Sequence, residues 1–511
     1  MIDRSWVPPR ASPSNDAADL AAVDAVIESG PFTDTWESLQ AYRPARWFTE
    51  AKFGIFLHWG IYSVPAFSGE WYSREMYRSG SKVFDHHRET YGPQSEFGYK
   101  DFIPHFNMQN YDPDGWAALF RRAGANYVVP VAEHHDGYAL YQSDRTRWDA
   151  TKTGPKRDVF GELGSSVVDH SMVFGASSHR AEHWFFMNGG MTFDSDVRDA
   201  EFSDFYGPAQ REETSPSKAY LDDWLLRTVE IIDHYRPEML FFDWWIEKPA
   251  FQPYLRRLAA YYYNRAAEWG REVVITYKWE AFAEGSAVYD IERGAVKTVQ
   301  PSVWQNDTSV SRSSWCWTAD HEYKSIPELL GELLDVVSKN GNLLLNIGPK
   351  PDGTIADPEV RMLEAIGSWL SVNGEAVYGT APYVIPGEGP LQVEGGSFID
   401  GAPSLFSADD FRFTTRNDVT GSYLYVSTVK WPDVGEIVIT ALGTRLQLEP
   451  RTVADVQMLG VKGSLDWRRD LNGLVVTLPS IRPHEHGYAL KICFEQEPAP
   501  RRPWVTAWAP D

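Results

Sequence analysis

Short apolar runs alternate with amphipathic helical stretches through most of the chain, from about Phe48 onward. The apolar runs are rich in β-branched and aromatic residues, which is typical of buried strands. The predicted strands cover 53–59, 127–132, 239–243, 272–277 and 342–347, and the predicted helices cover 114–123, 218–235, 253–269, 326–339 and 358–372. Strands that alternate with helices form a parallel sheet, and no strand is followed by the G-x-G-x-x-G of a dinucleotide fold. We therefore predict an α/β fold, a (β/α)8-like TIM barrel.

The pattern changes after about Tyr383, where the helical periodicity ends. Alternating or β-rich segments follow with turn residues between them, which is typical of an antiparallel β-sandwich domain. These segments cover 422–429, 436–440, 473–478 and 489–494. We therefore divide the chain into an N-terminal extension with one helix (1–40, helix 17–28), a barrel domain (41–383), a sandwich domain (384–496) and a C-terminal tail (497–511).

Composition narrows the class of ligand. The 511 residues include 21 Trp, 25 Tyr and 26 Phe, and the net charge is −23. A surface of this charge repels nucleic acid and anionic membranes, so we expect neither as a partner. Most of the rings fill the core, but a surplus of Trp also suits the apolar C–H face of a sugar, and a neutral sugar suits the charge.

The cysteine content and the first residues of the chain indicate the cellular compartment in which the protein is expected. Two cysteines, Cys316 and Cys493, cannot form a zinc site alone. The first residues contain no apolar run typical of a signal peptide, and no stretch is long and apolar enough to span a bilayer. We expect a cytoplasmic protein with reduced thiols, no cofactor and no metal. The sequence leaves the oligomeric state open, including a homo-oligomer.

Polar side chains that could carry chemistry follow the ends of predicted strands: His58, His134, Asp243 and Lys278. The carboxyl ends of barrel strands share one mouth, where active sites lie. Asp243 ends a very apolar run and precedes two tryptophans, so it suits the nucleophile of a glycoside hydrolase, which needs two carboxyl groups around the scissile bond. The alternative is a helix N-cap or a paired structural acid.

Glu292, after the next strand, is our candidate for the acid/base. This role needs a raised pKa, which burial among apolar groups would supply. Arg293 complicates the assignment, because an ion pair between these neighbours would lower the pKa of Glu292. Glu280 and Glu70 are the competing acids.

Two adjacent histidines, His134 and His135, follow the second predicted strand. They could donate hydrogen bonds to sugar hydroxyls, bind a metal or be satisfied within the core. Metal is the weaker alternative, because adjacent histidines lack the i, i+4 spacing of a helical zinc site. Together with His58 and the Glu70-Trp71 pair of the next loop, they predict a polar pocket with aromatic walls.

Several ordered motifs from about Trp47 to Gly379 resemble glycoside hydrolase family 29, the α-L-fucosidases. They are Lys52-Phe-Gly-Ile-Phe-Leu-His-Trp-Gly, Glu70-Trp-Tyr, Glu133-His-His-Asp-Gly-Tyr, Lys156-Arg-Asp, the strand ending at Asp243, and Gly341-Asn-Leu-Leu-Leu-Asn-Ile-Gly-Pro-Lys-Pro-Asp-Gly-Thr-Ile. The resemblance implies a retaining double displacement on a fucosylated oligosaccharide or glycoconjugate. Asp243 matches the family nucleophile, and Glu292 is similar in position to the acid/base.

The resemblance also implies roles for the remaining pocket residues. The residues that match those holding the fucose hydroxyls are His58, Glu70, Trp71, His134 and His135. Lys278 and Trp279 align with an Arg-Trp pair, and Trp315 matches an aromatic residue that faces the sugar methyl group. Lys278 thus lacks the bidentate fork of arginine. Further departures are Glu133 where many members have Lys, and Ser177 where many have Tyr.

Three hypotheses follow. The first is an exo-acting α-L-fucosidase. The second is a retaining glycosidase for another sugar, such as a galactoside, and the third is a non-catalytic carbohydrate-binding barrel. An intact acid at position 243 argues against the third hypothesis.

Overall fold

The computed structural model describes residues 6–9, 15–207, 209, 212–401 and 406–495. Its strands are β1 (Phe53–Leu57), β2 (Tyr127–Glu133), β3 (Val173–Ser178), β4 (Met239–Phe242), β5 (Val274–Tyr277), β6 (Val288–Glu292), β7 (Trp304–Ser309), β8 (Gly341–Ile347), β9 (Ala381–Glu388), β10 (Phe411–Asp418), β11 (Gly421–Thr428), β12 (Glu436–Ile439), β13 (Val453–Met458), β14 (Trp467–Arg469), β15 (Leu474–Thr477) and β16 (Tyr488–Phe494). Its α-helices are Asp16–Ser29, Trp36–Leu39, Arg46–Ala51, Tyr72–Glu75, Lys82–Thr90, Pro113–Arg122, Val159–Asp169, His183–Phe186, Ser203–Tyr206, Lys218–Tyr235, Gln252–Trp269, Ile326–Ser338 and Asp357–Asn373. The predicted tail 497–511 lies outside the described residues.

Strands β1 to β8 form a closed parallel barrel in chain order, which confirms the predicted fold. The first and last strands pair with each other and so close the barrel: Ile55 of β1 pairs with Val128 of β2 on one side and with Leu345 of β8 on the other. Alternate residues of the strands fill the interior, where Phe56 packs 4.7 Å from Phe241 between ring centroids. The helix Arg46–Ala51 adds Phe48 to this interior cluster.

Three barrel strands were not predicted from the sequence: β3, β6 and β7. The last of these reads Trp-Gln-Asn-Asp-Thr-Ser, yet all six residues are buried. Its polar side chains bond within the barrel, since Gln305 donates to Asp290 at 2.7 Å and accepts from the Tyr127 hydroxyl at 3.2 Å. The connections β5–β6 and β6–β7, which are fully described, contain no α-helix, so the barrel is irregular on this side.

The C-terminal strands form two antiparallel sheets, as predicted. A five-stranded sheet has the order β13-β16-β11-β10-β9, and a three-stranded sheet has the order β12-β15-β14. One apolar cluster lies between them, with Phe413 and Ile439 among its members. The predicted boundary at 383/384 falls inside β9, which belongs to the larger sheet. A buried ion pair of 2.7 Å joins this sheet to the barrel, from Arg412 to Asp335 of the helix Ile326–Ser338.

Peripheral features complete the fold. The predicted N-terminal helix is present as Asp16–Ser29, and its Val23 and Ile27 join the main core. Cys316 is buried, Cys493 is half-buried, and neither forms a disulfide. Within the described part of the chain, none of the helices has both the length and the apolar character that crossing a membrane requires.

Candidate active site

A cavity lies at the carboxyl ends of the barrel strands, and its empty space, which includes the part open to solvent, is about 320 Å³. Each strand from β1 to β7 contributes a lining side chain at its end or in the loop that follows, as expected for a barrel of this kind. The lining residues are His58, Glu70, Trp71, His134, His135, His179, Asp243, Trp244, Lys278, Glu292, Asp307 and Trp315.

Asp243 lies one residue beyond β4 and is 7% exposed. The Nδ1 of His179 is 3.0 Å from its Oδ2, and the Nζ of Lys278 is 3.6 Å from its Oδ1. A second imidazole nitrogen, Nε2 of His135, lies 3.5 Å from Oδ2. Burial alone would raise the pKa of Asp243, but His179 and Lys278 hold that pKa well below its usual range. This carboxyl group is therefore ionised, as a nucleophile must be.

The imidazole of His179 is itself held by a hydrogen bond with Ser177, on the side of the ring away from Asp243. Because a carboxylate can only accept, His179 donates through Nδ1 to Asp243, and its Nε2 then faces Ser177 Oγ at 2.6 Å. Ser177 is fully buried in β3. The serine that departs from the family pattern thus fixes the orientation of the ring that contacts Asp243.

Glu292 is the last residue of β6 and is also 7% exposed. Its pKa is raised to about 8, mainly by burial and also by the charges of Asp243 and Asp307. Lys278, whose Nζ lies 2.8 Å from Oε2, opposes this rise. Arg293, which could have lowered this pKa, pairs with Asp400 at 3.1 Å instead. The carboxyl group is therefore protonated near neutral pH.

The competing acids are placed differently. Glu280 is exposed and is not among the residues that line the cavity. Glu70 does line it, but its Oε2 accepts from the backbone N–H of Trp315 at 3.2 Å and from the Ser314 hydroxyl at 3.3 Å. These contacts position Glu70 as an acceptor in the pocket wall, so the structure favours Glu292 as the acid/base.

Lys278 joins the carboxyl groups of the site. Its Nζ is 2.9 Å from Asp307 and 3.8 Å from Asp290, in addition to its contacts with Asp243 and Glu292. Burial and the charge of Asp307 raise the pKa of Asp290 well above its usual range. The pKa of Lys278 is also raised, because the surrounding carboxylates outweigh the effect of its burial. A fixed positive charge therefore stands between the two candidate catalytic acids.

Three further histidines line the cavity in their neutral form, because burial lowers the pKa of His58 and His134 well below the usual value and that of His135 to about 3. The Nδ1 of His58 donates to the side-chain oxygen of Asn346 at 2.8 Å. Among the described residues, Nδ1 of His134 has no hydrogen-bond partner. Neutral imidazoles can donate and accept, so this wall suits the hydroxyl groups of a sugar.

The same side chains could also approach a metal ion. Two groups have ligating atoms within 4.8 Å of one another: His58, His134 and His179, and His135, His179 and Asp243. Both groups need His179, whose two nitrogens are already hydrogen-bonded to Ser177 and Asp243. A metal in either group would break one of these bonds, so the absence of a metal stays our prediction.

Aromatic side chains close the pocket. The ring of Trp71 lies 5.8 Å from that of His135, and the ring of Trp315 lies 5.1 Å from that of His58. Trp279 differs from these predicted residues, because it is 48% exposed and does not line the cavity. It lies at the rim, with its ring 6.3 Å from that of Trp244.

Comparison with known proteins identifies the family. The sequence model described as alpha-L-fucosidase matches residues 20–375, which is more than half of the chain. The chain belongs to the alpha-L-fucosidase family. A second model, described as the alpha-L-fucosidase C-terminal domain, matches residues 406–493. The members of this family are glycoside hydrolases, as the sequence motifs predicted.

Individual fucosidases resemble the chain over most of its length. The tissue alpha-L-fucosidase of Rattus norvegicus is 30% identical over 90% of this chain and 92% of the relative, and that of Homo sapiens is 29% identical over 91% and 92%. Among solved structures, the alpha-fucosidase of Thermotoga maritima in complex with fucose has a TM-score of 0.71 and 28% identity, over 90% of this chain and all of that one.

Three lining residues of this fucosidase site were missed by the sequence analysis: His179, Trp244 and Asp307. Trp244 follows Asp243 directly, so its position beyond a strand end was a usable signal. His179 and Asp307 belong to β3 and β7 or their ends, and neither strand was predicted. Glu133, another departure from the family pattern, is a structural residue, because it pairs with Arg180 at 2.5 Å and with Arg227.

Proposed function

We propose that the chain is an exo-acting retaining α-L-fucosidase that hydrolyses terminal α-L-fucosyl linkages in oligosaccharides or glycoconjugates. One observation carries this proposal: two buried carboxyl groups face one cavity, and their pKa values are displaced in opposite directions. Such a pair supplies an ionised nucleophile and a protonated acid at the same pH.

In the first step, Asp243 attacks the anomeric carbon while Glu292 protonates the glycosidic oxygen. The bond to the leaving group breaks, and an ester forms between fucose and Asp243. Lys278 and His179 keep Asp243 ionised until the attack. The neutral histidines of the wall orient the fucose hydroxyls through hydrogen bonds.

In the second step, water cleaves the ester and Glu292 acts as the base. The charge of Asp243 is one cause of the raised pKa of Glu292. Esterification removes that charge while Lys278 stays in place, so the pKa of Glu292 falls after the first step. The same side chain can then accept a proton from the attacking water.

The spacing of the two acids supports retention. Oδ1 of Asp243 and Oε2 of Glu292 lie 3.6 and 2.8 Å from the same Nζ of Lys278. These oxygens are therefore closer together than the sum of the two distances. This fits the carboxyl spacing of about 5 Å in retaining enzymes better than the roughly 6.5–9.5 Å of inverting enzymes.

A panel of nitrophenyl glycosides tests the proposal. We expect the α-L-fucoside to be cleaved at least about a hundredfold faster than the α- and β-galactosides, since a site that hydrogen-bonds its substrate rejects mismatched analogues. Nuclear magnetic resonance of the first product should show the α-anomer of fucose. A preference for a galactoside would assign another sugar, and initial release of the β-anomer would contradict retention.

The cytoplasmic location stays a prediction, which fractionation of the native cells with an antibody against the chain would test.

A further inference from the structure

Three aromatic rings lie together at the mouth of the cavity, and we call them the rim cluster: the half-buried Trp244 and the exposed Trp279 and Phe398. Trp279 is 48% exposed and Phe398 is 51% exposed, which is unusual for side chains of this size. The ring centroid of Trp244 lies 6.3 Å from that of Trp279 and 5.8 Å from that of Phe398. Trp244 also lines the cavity, so the rim cluster continues the cavity wall outward.

Phe398 reaches this place on a segment that pairs with the loop after β6. Gly396 and Ala295 form an antiparallel bridge with hydrogen bonds of 3.0 and 3.1 Å. The backbone N–H of Phe398 then donates to the carbonyl of Glu292 at 2.9 Å. The backbone of Phe398 is therefore fixed at the strand end that carries the acid/base.

The segment is anchored at its far end by the half-buried carboxylate of Asp400. Asp400 accepts from Lys324 at 2.8 Å and from the Thr308 hydroxyl at 2.9 Å, and it pairs with Arg293 at 3.1 Å. These bonds tie the segment to the barrel, although it belongs to the connection between β9 and β10 of the C-terminal domain. The side chain of Phe398 is thus exposed although the backbone that carries it is held in place by these bonds.

Two of the three rings sit on backbone that their residue types rarely adopt. Phe398 has φ 57° and Trp279 has φ 56°, in the left-handed region. A bulky residue at positive φ is an outlier that persists only where surrounding contacts impose it, and such outliers gather at binding sites. Residues 376–405 fall between the spans matched by the two family models, so the site of Phe398 is not part of the matched family pattern.

We propose that the rim cluster binds the leaving-group sugar, a neutral hexopyranose, of the oligosaccharide substrate. This inference rests on the proposed function. Glu292 must reach the glycosidic oxygen, so the leaving group extends from that oxygen on the side of Glu292, where Phe398 lies. The apolar C–H face of a pyranose carries partial positive charge and stacks on the negative face of an aromatic ring.

The test compares two substrates that share fucose and differ in the leaving group. Fucosylated lactoses leave a pyranose, whereas α-L-fucosyl fluoride leaves only fluoride. For Phe398→Ala and Trp279→Ala, we expect the ratio of kcat/KM on fucosylated lactose to kcat/KM on the fluoride to fall about three- to tenfold, the scale of one lost stacking contact. Phe398→Tyr, which keeps a ring, should restore the parent ratio.

Leu446→Ala is the matched control, because Leu446 is 53% exposed and lies between β12 and β13 of the same C-terminal domain. This variant should leave the ratio unchanged. An unchanged ratio in both rim variants would overturn the proposal. An equal loss on both substrates would also overturn it, because the effect of the ring would then not depend on the leaving group. A displaced Glu292 would lower the same ratio, but it would leave the binding of free lactose unchanged, which the next measurement tests.

A binding measurement separates this proposal from the proposed function. Saturation-transfer nuclear magnetic resonance with free lactose should show contact with the parent protein and a weaker signal with Phe398→Ala. If the parent releases no fluoride from fucosyl fluoride, the fucosidase proposal fails while the lactose signal still tests the rim cluster. If lactose gives no signal and the ratio of the two kcat/KM values is unchanged in the rim variants, the rim proposal fails while the fucosidase proposal stands.

Discussion

The ends of β4 and β6 present two carboxyl groups of equal burial and opposite protonation. Asp243 and Glu292 are each 7% exposed, and each lies near the ammonium group of Lys278. Only Asp243 also receives a hydrogen bond from an imidazole, at 3.0 Å from His179. Its pKa is lowered, while the pKa of Glu292 is raised to about 8.

The comparison shows that burial alone does not assign the roles of two acids. Burial raises both pKa values, and the donors around each carboxyl group decide the outcome. The ionised state of Asp243 then helps to keep Glu292 protonated, so the two assignments depend on each other. Variants that remove one partner at a time can break or sharpen this comparison.

Removing the nucleophile should have the largest effect. We expect Asp243→Gly to lower kcat on an aryl α-L-fucoside by roughly 10⁴-fold or more, because no other group can form the ester. Azide should restore turnover and give a fucosyl azide of inverted configuration. An unchanged thermal melting curve would show that the fold survives, and near-parent kcat in this variant would refute the role of Asp243.

Removing the acid should have a smaller effect that depends on the substrate. For Glu292→Gln, we expect kcat/KM on fucosylated oligosaccharides to fall about 10²- to 10⁴-fold, and less on activated aryl fucosides, which need little protonation of the leaving group. Glu280→Gln is the matched control, since Glu280 is exposed. If the control shows the substrate-dependent loss instead, the acid/base has been misassigned.

Lys278 sets the pH range over which the two acids differ. Activity needs Asp243 ionised, so it is lost as the pH falls through the lowered pKa of Asp243. It also needs Glu292 protonated, so it is lost as the pH rises through a pKa of about 8. Lys278 lowers both pKa values.

Lys278→Met should therefore move both limbs of the profile of kcat/KM against pH to higher pH, with a loss of about 10²-fold at the optimum. Lys278→Arg keeps the charge and should lose less. Limbs that stay in place in Lys278→Met would show that the ammonium group does not control either acid.

The smallest effect is expected at Ser177, which holds the imidazole that donates to Asp243. Ser177→Ala removes the hydrogen bond to Nε2 of His179, and we expect kcat to fall about fivefold, the value of one hydrogen bond. Ser286→Ala, which also removes a buried hydroxyl but one that bonds a loop carbonyl, should leave kcat unchanged. Equal kcat in the two variants would show that Ser177 has no positioning role.

The sequence predicted the elements whose hydrophobic period is strong. The helix predicted over 218–235 is present as Lys218–Tyr235, and the apolar strand before Asp243 ends at Phe242. The strands β6 and β7 were not predictable in this way, because their polar side chains are buried against one another. The strand β3 has only two large apolar residues, Val173 and Phe174, and so shows no strong period. In β7, Gln305 and Asp307 bond to Asp290 and Lys278, which are distant in sequence.

The site follows the same division. Residues beyond apolar strands, such as Asp243 and His134, could be placed from local pattern. His179 could not be placed in this way, because its role in the site depends on its hydrogen bonds with Ser177 and Asp243. The partner of Arg293 could not be predicted from local sequence either, because Asp400 comes from the connection between β9 and β10 of the C-terminal domain.

Trapping with a fluorinated fucosyl fluoride tests the central claim most directly. The fluorine at C2 slows the second step, so the ester accumulates and mass spectrometry of the digested protein can locate it. We predict one fucosyl group on the peptide that contains Asp243, attached to its carboxylate. A label on any other side chain, or no label in a protein that cleaves the reagent, would contradict the mechanism.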